Sequence, residues 1–289
     1  GQHGGILRWH ELEDGFEAGK FVDAKCAVFI QCVGSREPQR PYCSRICCTF
    51  SVQQAIGLKE ASPEMDVYVL YRDIRTYGQR EALYRRARAA GVIFIRYSLE
   101  QKPVVEIDSN GRLRVSVIDH VLHRPILLTP DIITLATAIE TSGADKLAQL
   151  FKVPLNQDMF FLEAHAKLRP LECATDGVFI CGLAHYPKGI DECITQAQAA
   201  ASRAITVLAK KSLQVSGRVA IVNPSKCSAC GVCITLCPYS AAEFNDRSVS
   251  EINTALCKGC GLCVASCRSG AIDLRGSEDK QLFAVIEEI

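Results

Sequence analysis

Residues 227–238 read CSACGVCITLCP, and residues 257–267 read CKGCGLCVASC. In each run the cysteines are separated by two, two and three residues, so the second run duplicates the first thirty positions further along the chain. Closely and regularly spaced thiols bring several sulfur ligands to one small site, as metal clusters require. The eight cysteines of the two runs therefore predict a small metal-binding module.

The spacing of these runs is typical of a pair of [4Fe–4S] clusters, in which the fourth cysteine of each run ligates the other cluster. The predicted ligands of the first cluster are Cys227, Cys230, Cys233 and Cys267. Those of the second cluster are Cys257, Cys260, Cys263 and Cys237. Structural zinc is the alternative, but zinc sites separate two cysteine pairs by a longer loop. Over residues 219–275 the sequence resembles the bacterial two-cluster ferredoxins, with Arg268 in place of the proline usual after the last cysteine.

Composition excludes several other classes of protein. The chain has 289 residues, of which 48% are hydrophobic and 22% charged, which favours a folded globular protein over a disordered one. Its formal net charge of +1 gives no electrostatic basis for binding nucleic acid. No apolar stretch approaches the roughly 20 residues of a membrane span, and residues 1–5 lack the features of a signal peptide. We expect a soluble, cytoplasmic protein whose sixteen cysteines include many metal ligands.

The region before the duplicated runs alternates strand and helix patterns. Apolar runs predict strands at 24–33, 65–71, 92–97 and 131–136. Helices are predicted between them at 45–60 and 79–90, an order typical of a parallel α/β sheet. Shorter strands are predicted at 103–107, 112–118 and 126–128. A last sheet strand is predicted at 177–182, before an alanine-rich helix at 192–210.

These elements predict two domains of different class. The fold class is α/β over residues 1–210, followed by a linker at 211–218. Residues 219–289 form an α+β domain that holds the two predicted clusters.

A second group of cysteines lies early in the α/β region. Cys32 ends the first predicted strand, and Cys43, Cys47 and Cys48 lie where the helix 45–60 begins. A helix N-terminus stabilises negative charge, and residues four positions apart share a helix face, so these thiolates are suited to bind an anionic cluster. From spacing alone two other interpretations stay open. The thiols are then either small core residues or, at Cys47 and Cys48, a redox-active dithiol.

The run from Cys26 to Tyr97, which includes YRDIRTYG at 71–78, resembles the HdrA subunits of heterodisulfide reductases and the related quinone-interacting oxidoreductase subunits. The resemblance implies a partial thioredoxin-reductase-like flavoprotein domain with an inserted [4Fe–4S] site. It implies that Cys32, Cys43, Cys47 and Cys48 hold this cluster, which makes three clusters in all. Cys26 is expected to be a core residue on its strand.

The segment DGVFICG at 176–182 resembles the last strand of thioredoxin-reductase-like flavoproteins, which leads into a helix that faces the flavin. The resemblance implies that FAD is contacted by Gly182, Ala184, His185 and Lys188. The alternative for Lys188 is a solvent-exposed loop lysine. Leu183 stands where the family has an acidic residue, and no Gly-x-Gly-x-x-Gly follows an N-terminal strand. FAD is therefore expected to be shared with a partner chain, or a missing N-terminal half, that carries the glycine-rich loop.

The resemblance implies an oxidoreductase subunit that is not catalytic alone. Such a protein relays electrons between a flavin and partner redox subunits of a heterodisulfide-reductase-like complex, where the flavin can divide an electron pair between two acceptors. Two alternatives stay open: a thiol–disulfide oxidoreductase that uses Cys47 and Cys48 or Cys181, and a structural assembly subunit. The remaining candidate ligands are irregularly spaced, which favours core and loop positions for His165, His185, Cys173, Cys181 and Cys193.

Overall fold

The structure, a computed structural model, describes residues 3–21, 23–212 and 217–288. These residues form two compact units. The first contains the residues up to Lys146 together with Val153–Ala201, and the second contains Leu147–Lys152 together with the residues from Ser202 onward. Residues 1 and 2 of the N-terminal segment, and residues 213–216 of the predicted linker 211–218, lie outside the described residues.

The first unit is built on a parallel sheet. Its five strands are β1 (Ile6–Arg8), β2 (Cys26–Val33), β3 (Asp66–Tyr71), β4 (Ile93–Arg96) and β8 (Ile132–Thr137). They lie in the order β1–β8–β2–β3–β4, and every neighbouring pair is parallel. The α/β class and four of these strands are confirmed. The sequence does not predict strand β1, because three residues are too few to show a period.

Three helices and an antiparallel meander complete the sandwich around this sheet. The helices are α1 (Trp9–Glu17), α2 (Cys47–Ala61) and α3 (Glu81–Ala89). The meander consists of β5 (Val104–Ile107), β6 (Leu113–Asp119) and β7 (Arg124–Leu128). Helix α2 joins β2 to β3, and α3 joins β3 to β4, so the helices predicted at 45–60 and 79–90 are confirmed.

The two faces of the sheet pack into separate cores. Along β2, Ala27 and Phe29 belong to the core that contains α2 residues, whereas Val28 and Ile30 belong to the core that contains β6. This alternation is what a strand buried on both faces requires, since successive side chains point to opposite sides. Because β2 is fixed on both faces, the chain leaves its carboxyl end at Val33 and enters α2 at Cys47 from a defined position.

The rest of the first unit is less regular than predicted. Two helices are present there, α4 (Ala144–Phe151) and α5 (Ile190–Leu208). The strand predicted at 177–182 is wrong: in the described part of the chain only an isolated antiparallel bridge joins Phe179 to Glu172. A strand needs a neighbouring strand to bond its backbone groups, and the apolar run alone does not supply one.

The second unit repeats one small motif twice. Its elements are β9 (Ala220–Val222), α6 (Val232–Leu236), β10 (Ala242–Phe244), β11 (Ser250–Ile252), α7 (Leu262–Ala265), β12 (Ile272–Leu274) and α8 (Asp279–Glu287). The strands pair antiparallel as β9 with β12 and β10 with β11. Gly231 and Gly261 precede α6 and α7 with φ of 75° and 79°. Only glycine adopts this left-handed conformation without steric cost, which explains the CxxCGxC pattern of both runs.

Candidate iron–sulfur centres and an adjoining polar network

The second unit contains two pockets of similar size, about 330 and 380 Å³. The first is lined by four cysteines, Cys227, Cys230, Cys233 and Cys267. The second is lined by four others, Cys257, Cys260, Cys263 and Cys237. Each pocket thus combines three thiols of one run with the last thiol of the other run. The structure brings together the two ligand sets that the spacing predicted.

Hydrogen-bond donors surround the sulfur atoms of these pockets in a repeated way. The amide of Ala241 donates to Cys237 Sγ at 3.3 Å, and the amide of Ala271 donates to Cys267 Sγ at 3.2 Å. These bonds occupy equivalent positions in the two repeats. Burial opposes ionisation of Cys267, but hydrogen bonds from Ser269 and the Ala271 amide outweigh it and lower the pKa of this thiol. Donors that stabilise thiolates fit a cluster with thiolate ligands.

The four cysteines of the first unit meet where β2 ends and α2 begins. Cys32 lies at the end of β2 with a left-handed φ of 59°, and Cys47 and Cys48 are the first two residues of α2. All three are buried, whereas Cys43 is half-buried. Cys47 and Cys48 pack together against Ala136 of β8.

The pKa values of these thiols show that all four are close together. A hydrogen bond with Cys48, burial, and the neighbouring Cys32 and Cys43 all raise the pKa of Cys47. The hydrogen bond from Cys47 lowers the pKa of Cys48, and burial only partly offsets it. One proton is therefore held between two adjacent thiols, while Cys48 carries thiolate character at lower pH.

Unpaired donors around these thiols fit an anionic group. Arg36 Nη1, Arg72 Nε and Thr76 Oγ1 are buried and have no hydrogen-bond partner within the described part of the chain. Burial raises the pKa of Cys32, and the nearby guanidinium of Arg72 opposes this effect. Buried donors are normally satisfied, so three open ones beside four thiols are the environment that an anionic thiolate cluster needs.

No three His, Cys, Asp or Glu side chains in residues 3–21, 23–212 and 217–288 lie close enough together to hold a single metal ion. A [4Fe–4S] cluster makes a different demand, because each of its four thiolates binds a separate iron at a corner of the cube.

The segment predicted to face flavin contains a buried lysine. Lys188 is only 8% exposed, so the alternative of a solvent-exposed loop lysine is wrong. Its ammonium donates to Gly182 O at 3.0 Å and to Gln196 Oε1 at 2.9 Å, and lies 3.5 Å from His185 Nδ1. Burial lowers the pKa of Lys188, although these three acceptors remain available to its protonated form. Its three donors are thus directed into the protein.

The hydrogen bonds around Lys188 are consistent with one arrangement of protons. Gln196 Oε1 accepts from Lys188 and from Gly182 N at 2.8 Å, so its Nε2 must face His185 Nδ1, 2.7 Å away. His185 Nδ1 is then an acceptor, and its Nε2 donates to Glu163 Oε2 at 3.0 Å. The sequence does not identify Gln196 and Glu163, since nothing in their spacing separates them from ordinary polar residues.

The other candidate ligands do not form a common site in this arrangement. Cys173 is fully buried, and Cys26 is half-buried at the start of β2, where it packs against the core that contains β6. Burial, with smaller contributions from Asp66 and Asp131, raises the pKa of Cys26 to about 11. His165 accepts hydrogen bonds from the amides of Lys167 and Leu168 within its own turn. Core and loop roles are confirmed for Cys173 and His165.

Comparison with known proteins gives matches to both parts of the chain. Residues 219–268 match the 4Fe-4S dicluster domain family, which supports iron–sulfur clusters in this region. An Archaeoglobus profundus protein named as similar to the A chain of heterodisulfide reductase is 38% identical over 217 residues, which are 74% of this chain and 30% of that protein. The iron–sulfur component A of the CoB–CoM heterodisulfide reductase of Methanocaldococcus jannaschii is 38% identical over 272 residues, 91% of this chain and 41% of that protein.

The chain spans less than half of the length of these relatives. Among solved structures, a thioredoxin reductase of T. acidophilum aligns with a TM-score of 0.47 and 11% identity over 71% of this chain and 58% of that one. Among the described residues, no helix is long and apolar enough to span a bilayer.

Proposed function

Because this chain is homologous to part of the HdrA subunits of heterodisulfide reductases, we propose that it is the iron–sulfur electron relay of such a complex. The observation that carries the proposal is the crossed pair of pockets, each lined by three thiols of one run and the last thiol of the other. In its finer form the proposal has three [4Fe–4S] clusters. The α/β domain (1–210) holds one cluster, and the ferredoxin domain (219–289), after the linker 211–218, holds two.

The residues of this chain bind the clusters and adjust their potentials. A bound [4Fe–4S] cluster accepts and donates single electrons. In the first unit Cys32, Cys43, Cys47 and Cys48 supply the thiolates, and Arg36 and Arg72 offset their charge. In the second unit the amides of Ala241 and Ala271 hydrogen-bond to the sulfurs, which favours the reduced cluster.

We further propose that FAD lies against the segment that contains Gly182, Ala184, His185 and Lys188. Lys188 is held in place by three acceptors, so it presents a fixed positive charge at this segment. A partner chain supplies the glycine-rich loop for the pyrophosphate, which this sequence lacks. The relatives of Methanothermobacter are named as reductases of both a heterodisulfide and a ferredoxin. By analogy, the complex delivers electrons to two acceptors, through partner redox subunits.

The dithiol interpretation is the second candidate, because Cys47 and Cys48 share a hydrogen bond and the pKa of Cys48 is lowered. A low thiol pKa is typical of thiol–disulfide exchange as well as of metal ligation. The two functions differ in what Cys43→Ala does. It removes one cluster from a relay, whereas it leaves a Cys47–Cys48 dithiol intact.

The test compares two routes of reduction in the assembled complex by stopped-flow absorbance. Cys43→Ala and Cys47→Ala are expected to abolish reduction of the ferredoxin-domain clusters by a flavin-bearing partner while leaving their reduction by dithionite unchanged. Each substitution removes an upstream ligand and none of the eight thiols downstream. Cys26→Ala, at the other end of β2, is the control and should retain the wild-type rate. If Cys43→Ala also retains that rate, the first unit is off the path and the assembly-subunit interpretation is favoured.

A further inference from the structure

Arg45 occupies a constrained position between two predicted cluster ligands. It lies two residues after Cys43 and two before Cys47, with a left-handed φ of 62°. A residue other than glycine adopts this conformation at a cost, so the surrounding structure must hold it. Its amide donates to Cys43 Sγ at 3.3 Å, which directs the backbone of this residue towards the thiol.

The guanidinium of Arg45 is held in turn by residues outside the cysteine loop. Arg45 Nη2 donates to Glu192 Oε1 at 3.0 Å and to the Tyr77 hydroxyl at 3.2 Å. The Tyr77 hydroxyl donates to the other Glu192 oxygen at 2.6 Å, and the Arg45 guanidinium lies 5.3 Å from the centre of the Tyr77 ring. The three side chains therefore form a closed set of contacts between the cysteine loop and the start of α5.

The pair lies in a setting where its charges are only partly screened. The side chains of Arg45 and Glu192 are 34% and 33% exposed, and Arg45, Tyr77 and Cys43 line one cleft. A second carboxylate oxygen contact, from the Gly189 amide at 3.0 Å, fixes Glu192. Rigidly placed charges beside a cluster change its reduction potential, because an added electron is attracted by a cation and repelled by an anion.

We propose that Arg45 and Glu192 set the reduction potential of the cluster on Cys32, Cys43, Cys47 and Cys48. Arg45 favours the reduced cluster, Glu192 opposes it, and Tyr77 keeps both at a fixed distance from Cys43. This inference rests on the proposed function, since it requires that the cluster is present. It assigns to Arg45 a positioning and electrostatic role, not that of a ligand.

The test is a redox titration of the anaerobically purified chain, followed by electron paramagnetic resonance. The signal that Cys43→Ala removes identifies the cluster of the first unit. Arg45→Met should shift its potential downward, because Glu192 is left without its cation, and Glu192→Gln should shift it upward. Arg45→Lys, which keeps the charge, should restore most of the wild-type value. The ferredoxin-domain clusters are an internal reference and should not shift.

Arg80→Met is the matched control. Arg80 lies over the same Tyr77 ring, at 5.5 Å, and pairs with Asp191 of α5 rather than with the cysteine loop. Its replacement should leave the potential near the wild-type value. Shifts of the same sign in Arg45→Met and Glu192→Gln would indicate a loosened loop and overturn the inference, as would no shift in either. A wild-type chain without the first-unit signal would overturn the proposed third cluster as well.

Discussion

Replacing Gln196 by leucine is expected to destabilise the first unit without changing any predicted cluster ligand. Gln196 accepts hydrogen bonds from Gly182 and Lys188 and donates one to His185. Glutamine and leucine have similar helix propensities, so the change tests these bonds rather than the stability of α5 itself.

The magnitude follows from the groups that lose a partner. Leaving one buried polar group unsatisfied costs roughly 1–3 kcal/mol. Lys188 keeps two other acceptors and Gly182 is half-buried, so the lower figure applies to each of the three partners. The sum is about 3 kcal/mol, which in a unit of this size lowers Tm by about 6–12 °C.

Circular dichroism melts of the anaerobic chain at a fixed scan rate measure the effect. Gln198→Leu, two positions further along α5 and exposed, is the matched control. It should change Tm by no more than about 2 °C. Equal melting temperatures for the two variants would refute the account of the Lys188 network.

Three further results are expected. Cys267→Ala and Cys237→Ala should each remove one ferredoxin-domain cluster and lower iron to about eight per chain, because each serves the opposite run; loss of iron from neither would contradict the crossed ligation. The chain alone should lose added FAD on gel filtration, since it lacks a pyrophosphate loop, and stoichiometric retention would show that the loop is dispensable. Cys26, with a pKa of about 11, should be alkylated at a rate that rises about tenfold per unit between pH 8 and pH 10; a plateau above pH 9, measured by mass spectrometry, would be evidence against the raised pKa.

The ferredoxin-domain ligands could be predicted because their information is local. Each run fixes three thiols within seven residues, and a glycine before each short helix sets the turn. The parallel sheet was predictable for a similar reason, since β2 and β3 are continuous apolar runs of the kind that a strand buried on both faces shows.

What the sequence did not predict depends on partners distant in the chain. The run 177–182 is as apolar as a strand, but it has a single bridging residue, Glu172, in the described part of the chain. The burial of Lys188 depends on Gln196 of α5 and on His185. Likewise Arg45 is ordinary in sequence, and its role depends on Glu192, which lies 147 positions away. Long-range polar pairs leave no periodic signal.

The central claim is that twelve cysteines hold three [4Fe–4S] clusters, and iron determination on the anaerobically purified chain tests it most directly. The account predicts about twelve iron atoms per chain in the wild type and in the control Cys26→Ala, and about eight in Cys43→Ala. About eight iron atoms in all three proteins would contradict it, because the thiols at the start of α2 would then hold no cluster.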